Sequence, residues 1–124
     1  MTMPDERMRS LRWGWELLDA IQRDASLPAD MVQRAAELQL IYPSPELLAA
    51  LVESTPPEIS TTAASSIDDA RELFERLQYG DQGSAETRKH TMFTLRHFPR
   101  TGKFLLAGNM PGLASMETWL AAAD

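Results

Sequence analysis

The chain has 124 residues, no cysteine, and 18 acidic against 12 basic side chains, which gives a formal net charge of −6. A chain of this length buries roughly two-thirds of its unfolded surface, so one domain can hold a core without metal or disulfide help. The absence of cysteine excludes a disulfide framework, a thiol nucleophile and a thiolate metal site. The acidic balance argues against general nucleic-acid affinity, because neutralising phosphates takes concentrated lysine and arginine.

The N-terminal sequence and the hydropathy of the chain predict a soluble, cytoplasmic protein. Residues 1–7 include acids where a signal peptide would have basic residues. No run approaches the ~18 apolar residues of a membrane span. We therefore expect no membrane contact.

The first helix is predicted over residues 5–23, with Pro4 suited to its first turn. Trp13 and Trp15 lie about 200° apart on a helical wheel, so they cannot face the same core. Trp15 is expected inside, whereas Trp13 is either a packing anchor on a second face or a contact with a partner. The apolar residues recur at three- and four-residue steps, namely Met8, Leu11, Trp15, Leu18 and Ile21.

Two further helices are predicted before residue 54. Ser26 is the expected cap of the second helix, which has Pro28 in its first turn and ends near Ile41. Pro43 ends this helix, because proline disfavours the helical conformation in the residue before it. Ser44 is the expected cap of a short third helix.

Residues 54–66 are rich in serine, threonine and proline and predict a linker. Ser66 and Asp69 resemble a capping box that opens the fourth helix. Gly80 is suited to the left-handed position after the helix end. The predicted core face of this helix is Ile67, Ala70, Leu73, Phe74 and Leu77.

The fifth helix is predicted from a cap at Ser84 to about His97, where Pro99 stops it. Residues 101–107 are expected to add a further helical turn, and residues 115–124 a final helix. No segment shows sustained alternation of apolar and polar residues, so no strand is predicted. The predicted fold is all-α, a compact bundle of about five to six helices in one domain spanning residues 1–124.

A shift of 56 residues aligns the chain with itself without a gap. The shift places Ser10 on Ser66, Leu18 on Phe74, and the Tyr42-Pro43 ending on Phe98-Pro99. We interpret this as two repeated helical hairpins, residues 4–53 and 67–124, that pack against each other. Chance alignment of two amphipathic hairpins is the alternative.

The N-terminal stretch Met3-Pro4-Asp5-Glu6-Arg7 and the later stretch Leu95-Arg96-His97-Phe98-Pro99 resemble a family of short uncharacterised bacterial proteins. Members open with Met-Pro-x-Glu-Arg and end a helical hairpin with Leu-Arg-His-Tyr-Pro; Phe98 replaces that tyrosine here. The family occurs mainly in proteobacteria, often near mobile-element genes. The resemblance implies helical structure and a cytoplasmic setting. Because the family has no assigned activity, the resemblance gives no information on mechanism.

The chain lacks the common catalytic and cofactor-binding motifs. Thr101-Gly102-Lys103 has no upstream glycine and no following serine or threonine, so it is not a phosphate-binding loop. His90 and His97 lie two helical turns apart, too far to share a metal unaided. Acid pairs at helix starts are explained by the helix dipole. We therefore expect no enzymatic activity, no metal and no cofactor.

The charge is unevenly divided along the chain. Residues 1–86 carry 16 acids and 7 bases, a balance of −9, whereas residues 87–116 carry five bases and no acid. An exposed aromatic ring among cations on the fifth helix is typical of a binding surface. Alternatively, the acidic first or fourth helix packs over this face and buries Phe93. The candidate partner-binding residues are Lys89, Phe93, Arg96, His97, Arg100 and Lys103.

These observations favour a helical module that binds another protein, as an adaptor, a regulator or a small inhibitor of the kind mobile elements encode. Two alternatives stay open. One is a nucleic-acid-associated regulator that uses Lys89, Arg96, Arg100 and Lys103. The other is an acidic mimic of nucleic acid that blocks a basic site on a target.

Overall fold

A computed structural model describes residues 4–50 and 60–98, without the side chains of residues 4–8, Thr61 and Ala64. Within these ranges the chain forms helices and no strand, which confirms the predicted all-α fold. The predictions for residues 51–59 and 99–124, including the final helix, lie outside the described residues. The helices are α1 (Pro4–Arg23), α2 (Ala29–Ile41), α3 (Pro45–Ala50), α4 (Thr61–Tyr79) and α5 (Ala85–His97).

The helices form a bundle in which α1 and α4 occupy diagonally opposite positions, with α2 and α5 between them. Helix α1 packs against both α2 and α5, and α4 packs against the same two helices, whereas α1 and α4 barely touch. Helix α3 packs on α1. The predicted core face of α4 is confirmed, since all five of its residues are buried. Other fully buried side chains are Leu11, Leu17, Leu18, Ile21, Leu38 and Leu48.

The helix bounds follow the 56-residue shift seen in the sequence. Helices α2 and α5 both have 13 residues, and they begin at Ala29 and Ala85. Their C-caps, Tyr42 and Phe98, have the same extended backbone, with φ of −65° and −68° and ψ of 145° in both. Helices α1 and α2 thus correspond in their bounds to α4 and α5, while the repeat of two hairpins and its origin by duplication stay predictions.

Both aromatic C-caps converge on Gly14 in the middle of α1. The Tyr42 hydroxyl donates a buried hydrogen bond of 2.6 Å to the Leu11 carbonyl, and burial raises the pKa of this phenol, which keeps its proton. The Phe98 ring meets the Phe74 ring edge-on at 5.5 Å between centroids. A Cβ at Gly14 would lie 2.5 Å from Tyr42 Oη and 2.7 Å from Phe98 Cε1. Glycine is therefore required here although it weakens a helix.

Ser26 does not cap α2, contrary to the sequence prediction. Pro28 occupies the N-cap position and offers no side-chain hydrogen bond. The Ser26 backbone amide and hydroxyl instead donate to Asp24 Oδ1, at 2.9 and 2.6 Å. Because the Ser26 side chain is hydrogen-bonded to Asp24 within this turn, it does not cap the start of α2.

Helix α4 begins at Thr61, so the predicted linker over residues 54–66 was wrong in its last six residues. Ser60 is the N-cap, with its hydroxyl accepting a 3.0 Å hydrogen bond from the Ala63 amide. Ser66 is buried inside the helix and donates to the Ala63 carbonyl. Several serines here could cap a helix, and composition did not distinguish the first of them from the last.

The turn after α4 also differs from its prediction. Gly80 has φ of −82°, in the right-handed region, so it does not supply the left-handed residue. Asp81, with φ of 51°, and Gly83, with φ of 98°, have the positive φ instead.

The inner face of α5 is made of Thr87, Thr91, Thr94 and Leu95, with Phe98 buried just beyond the helix. On a helical wheel Met92 falls near Leu95, which predicts an inward side chain, but Met92 is 48% exposed and this prediction was wrong. The Thr91 hydroxyl donates to the Thr87 carbonyl at 2.8 Å. The buried Thr94 hydroxyl has no hydrogen-bond partner among the described residues.

We expect Gly14→Ala to destabilise the protein. Overpacking costs about 1–3 kcal/mol, which outweighs a gain in helix propensity of up to ~1 kcal/mol. Urea unfolding should show a net loss of about 1–2 kcal/mol, and this loss should shrink in a Tyr42→Phe background, where one clashing oxygen is gone. An alanine variant as stable as the parent would refute the close approach at Gly14.

Thr94→Val should stabilise the protein by about 1 kcal/mol, because it replaces an unpaired buried hydroxyl with a methyl group of the same shape. Thr91→Val is the matched control, since it removes a hydroxyl that does donate a hydrogen bond. Thermal unfolding followed by circular dichroism should show a higher melting temperature for the first variant only. Equal shifts for the two valine variants would show that the Thr94 hydroxyl is satisfied.

Candidate functional site

The candidate site is the seam where α1 and α5 run side by side in opposite directions. Two adjoining grooves of about 280 and 360 Å³ follow it, and Trp13 and Phe93 line both. The basic groove is also lined by Arg9, Arg96 and His97. The mixed groove is also lined by Glu16, Glu86, Lys89 and His90. We call these residues together the α1–α5 seam.

Phe93 lies at the centre of the seam and is held between two cations. Its side chain is 36% exposed. The Lys89 ammonium lies 5.9 Å from the ring centroid, and the Arg96 guanidinium carbon lies 5.8 Å from it. These residues are one helical turn before and after Phe93, a spacing that brings their side chains together, and both cations interact with the ring.

Four of the six sequence-predicted binding residues, Lys89, Phe93, Arg96 and His97, therefore lie together on the seam. Arg100 and Lys103 lie outside the described residues. Sequence reasoning missed the residues that α1 contributes, Arg9 and Glu16, because a helical wheel shows which residues share a face but not which face meets α5. The sequence did indicate a special position for Trp13, because Trp13 could not face the same core as Trp15. In the structure Trp13 lines both grooves and is partly buried.

His90 links the two helices at the mixed groove. Burial of the imidazole lowers the pKa of His90, an effect opposed by the charge of Glu16, by a hydrogen bond with the Trp13 backbone and by the charge of Glu86. A lowered pKa leaves His90 neutral at pH 7. Glu16 and Glu86 therefore have a neutral imidazole beside them and not a cationic one.

The grooves continue into an acidic cleft of about 560 Å³ at the C-terminal end of α1 and the start of α5. Four carboxylates line it, from Glu16, Asp19, Asp24 and Glu86. The charge along the seam therefore changes sign. Arginines lie at the end near Arg9 and Arg96, whereas at the end near Glu16 and Glu86 four carboxylates outnumber the two cations, Arg23 and Lys89.

The α2–α4 seam, which corresponds to the α1–α5 seam under the 56-residue shift, is closed by ion pairs. Arg34 lies 3.6 Å from Asp69 and 3.9 Å from Glu37, and Arg76 lies 3.8 Å from Asp30. Under the shift, Asp69 corresponds to Trp13 and Glu37 to Phe93. The positions that carry paired charges in one seam thus carry the two aromatic rings in the other.

Five charged side chains of the α1–α5 seam form no ion pair with the side chains that the structure describes. No ion pair there involves the seam residues Arg9, Glu16, Glu86, Lys89 or Arg96. Three acids of the first and fourth helices, which could have covered the basic face, pair elsewhere: Asp19 with Arg23 at 2.8 Å, Asp69 with Arg34 at 3.6 Å and Glu75 with Arg71 at 3.3 Å. Helix α1 therefore borders Phe93 without covering it.

Asp24 fixes the acidic end of the seam. Its Oδ2 accepts hydrogen bonds from the Ser84 amide at 2.9 Å and from the Thr87 hydroxyl at 2.6 Å, while Ser26 donates to Oδ1. These donors hold the pKa of Asp24 far below its ordinary value. The carboxylate thereby joins the end of α1 to the beginning of α5 and sets their alignment.

Comparison of the chain with protein-family models, with curated proteins and with solved structures gave no match. In the described part of the chain, no helix combines the length and the apolar character needed to cross a membrane. The same residues bring no three histidine, aspartate or glutamate side chains into a group able to hold a metal ion.

Asp24→Asn should lower the free energy of unfolding by about 1–2 kcal/mol at pH 7, because it weakens charge-assisted hydrogen bonds to α5. The pKa of Asp24 is depressed in the folded state, so its stabilisation is complete above the unfolded pKa near ~4 and is lost as the pH falls further. The stability difference between parent and variant should therefore shrink below about pH 4.

Glu72→Gln is the control for this experiment, because Glu72 is an exposed acid on α4 with no ion pair among the described residues. Urea unfolding at pH 7, 5 and 3 should show little effect of the control at any pH. A constant Asp24→Asn difference across the series would show that the carboxylate charge is not involved.

Proposed function

We propose that this protein is a non-enzymatic helical module of the cytoplasm that binds another protein through the α1–α5 seam. One observation carries the proposal: Trp13 and Phe93, on neighbouring helices, line the same two surface grooves, and Arg9, Glu16, Glu86, Lys89 and Arg96 beside them form no ion pair among the described side chains. Aromatic and arginine side chains supply most of the binding energy at many protein interfaces.

The contrast between the two seams supports this proposal. The α2–α4 seam has oppositely charged residues that satisfy each other. Such half-exposed pairs contribute little to stability, but they leave no unpaired charge and no aromatic ring in the seam for a partner to contact. Trp13 and Phe93 instead leave apolar area at the surface, and a partner that removed this area from water would gain binding energy.

The alternation of charge also favours a protein over a nucleic acid. Phosphate binding requires a continuous row of cations, and here Glu16 and Glu86 lie beside Lys89 in the mixed groove. Arg9 and Arg96 at the other end offer only a short basic stretch. Rim charges of both signs select and orient a protein partner.

An adaptor, a regulator or a small inhibitor is the role that fits such a module. The resemblance to proteobacterial proteins encoded near mobile elements supports a role of this kind. We further propose that the two hairpins arose by duplication and that the α1–α5 seam changed to a binding surface while the α2–α4 seam kept its paired charges.

The role of Phe93 can be tested by affinity capture from a nuclease-treated cytosolic extract, with quantitative mass spectrometry. Phe93→Ala should weaken retention of the bound protein by roughly 10- to 30-fold, because about 2 kcal/mol is typical of an aromatic anchor at an interface. Met92→Ala is the matched control, since Met92 is exposed on the same helix and lines neither groove.

The proposal fails if the captured proteins are the same for both alanine variants. Retention that is seen only in a parallel extract without nuclease, and that falls steeply as salt rises, would indicate the nucleic-acid alternative instead.

A further inference from the structure

The order of charges along the α1–α5 seam makes the seam complementary to itself when one copy is inverted. On α5, Glu86 lies in the first turn and Arg96 in the last, with Phe93 between them. If the α5 helices of two copies cross in opposite directions, Glu86 of each copy lies against Arg96 of the other copy. Each two-fold pair therefore contains this contact twice.

Resting on the proposed function, we infer that the partner of the α1–α5 seam is a second copy of this chain, related by a two-fold axis perpendicular to α5. The axis passes between Glu86 and Arg96, beside Lys89 and Phe93. The inversion also brings Arg9 at the basic end toward the acidic end of the other copy, where Glu16 lies. Both ends of the seam thus meet the opposite charge.

Other orientations of two copies are disfavoured by the same charges. If the helices of the second copy ran parallel to those of the first, Arg9 and Arg96 would face arginines and Glu86 would face a carboxylate. Like charges brought together in this way oppose association. In the inverted arrangement each Phe93 lies close to the axis, across from Lys89 of the other copy, so the ring loses contact with water and a cation meets it.

The size of the seam predicts weak pairing. Ten residues of helix separate Glu86 from Arg96, about 15 Å, and two adjacent helices are roughly 20 Å wide. This footprint is smaller than the ~800 Å² per partner of a standard stable interface. We expect a reversible dimer with a dissociation constant of the order of 10–100 μM, stronger at low salt than at high salt.

The test uses Arg96→Glu and Glu86→Arg, measured by sedimentation equilibrium from about 10 μM to 1 mM, with circular dichroism to confirm folding. Each variant alone should dimerise at least ~10-fold more weakly than the parent, because each places like charges at both contacts. An equimolar mixture of the two variants should form a heterodimer of nearly parental affinity, since both contacts again join opposite charges. Arg12→Glu, an exposed charge reversal on α1 outside both grooves, should have no effect.

Self-pairing is overturned if the parent stays monomeric up to 1 mM, or if the mixed variants associate no better than each alone. A monomeric parent that still captures another protein in a Phe93-dependent manner would leave the proposed function standing and remove only the second copy as its partner. Heterodimer formation by the mixed variants is the supporting result, and it does not depend on either variant having the stability of the parent.

Discussion

The contact of Tyr42 and Phe98 with Gly14 is the constraint on which the rest of the structure depends. Each aromatic ring ends one hairpin, and both rings reach the same point on α1 because that residue has no side chain. Their approach fixes the distance from α1 to α2 and to α5 at once. A larger residue would push at least one hairpin away from α1, and the core that Leu11, Leu18 and Phe74 help to fill would lose its packing.

This constraint on α1 also explains why the α1–α5 seam has an open face. One side of α1 is committed to the two aromatic caps and the core, so the opposite side, with Arg9, Trp13 and Glu16, borders α5 at the surface. Helix α5 brings a core face made mostly of threonine hydroxyls and methyl groups, whereas its large apolar side chains, Met92 and Phe93, remain exposed. A helix that served only to complete the core would have the reverse distribution.

The sequence predicted those elements whose signals are local. Proline at Pro43, serine at Ser44 and Ser84, and the apolar spacing of α4 defined helix ends and faces correctly, since each acts within one or two turns. The prediction that Ser26 caps α2 was wrong because the Ser26 hydroxyl donates its hydrogen bond to Asp24, two residues earlier. The seam could be predicted only in its α5 half. Which residues of α1 lie beside Phe93 depends on how two helices far apart in sequence align, and no local pattern encodes that alignment.

The Asp24 carboxylate has a consequence for the order of folding. Its hydrogen bonds to Ser84 and Thr87 join residues 60 and 63 positions apart in the chain, whereas each hairpin closes around a turn of a few residues. Closing the shorter loops costs less chain entropy, so we expect the hairpins to form before they dock and bring the Asp24 carboxylate to its donors. Contacts made after the rate-limiting step slow unfolding and leave the folding rate unchanged. If the Asp24 hydrogen bonds form after that step, they lengthen the lifetime of the folded seam and do not speed its formation.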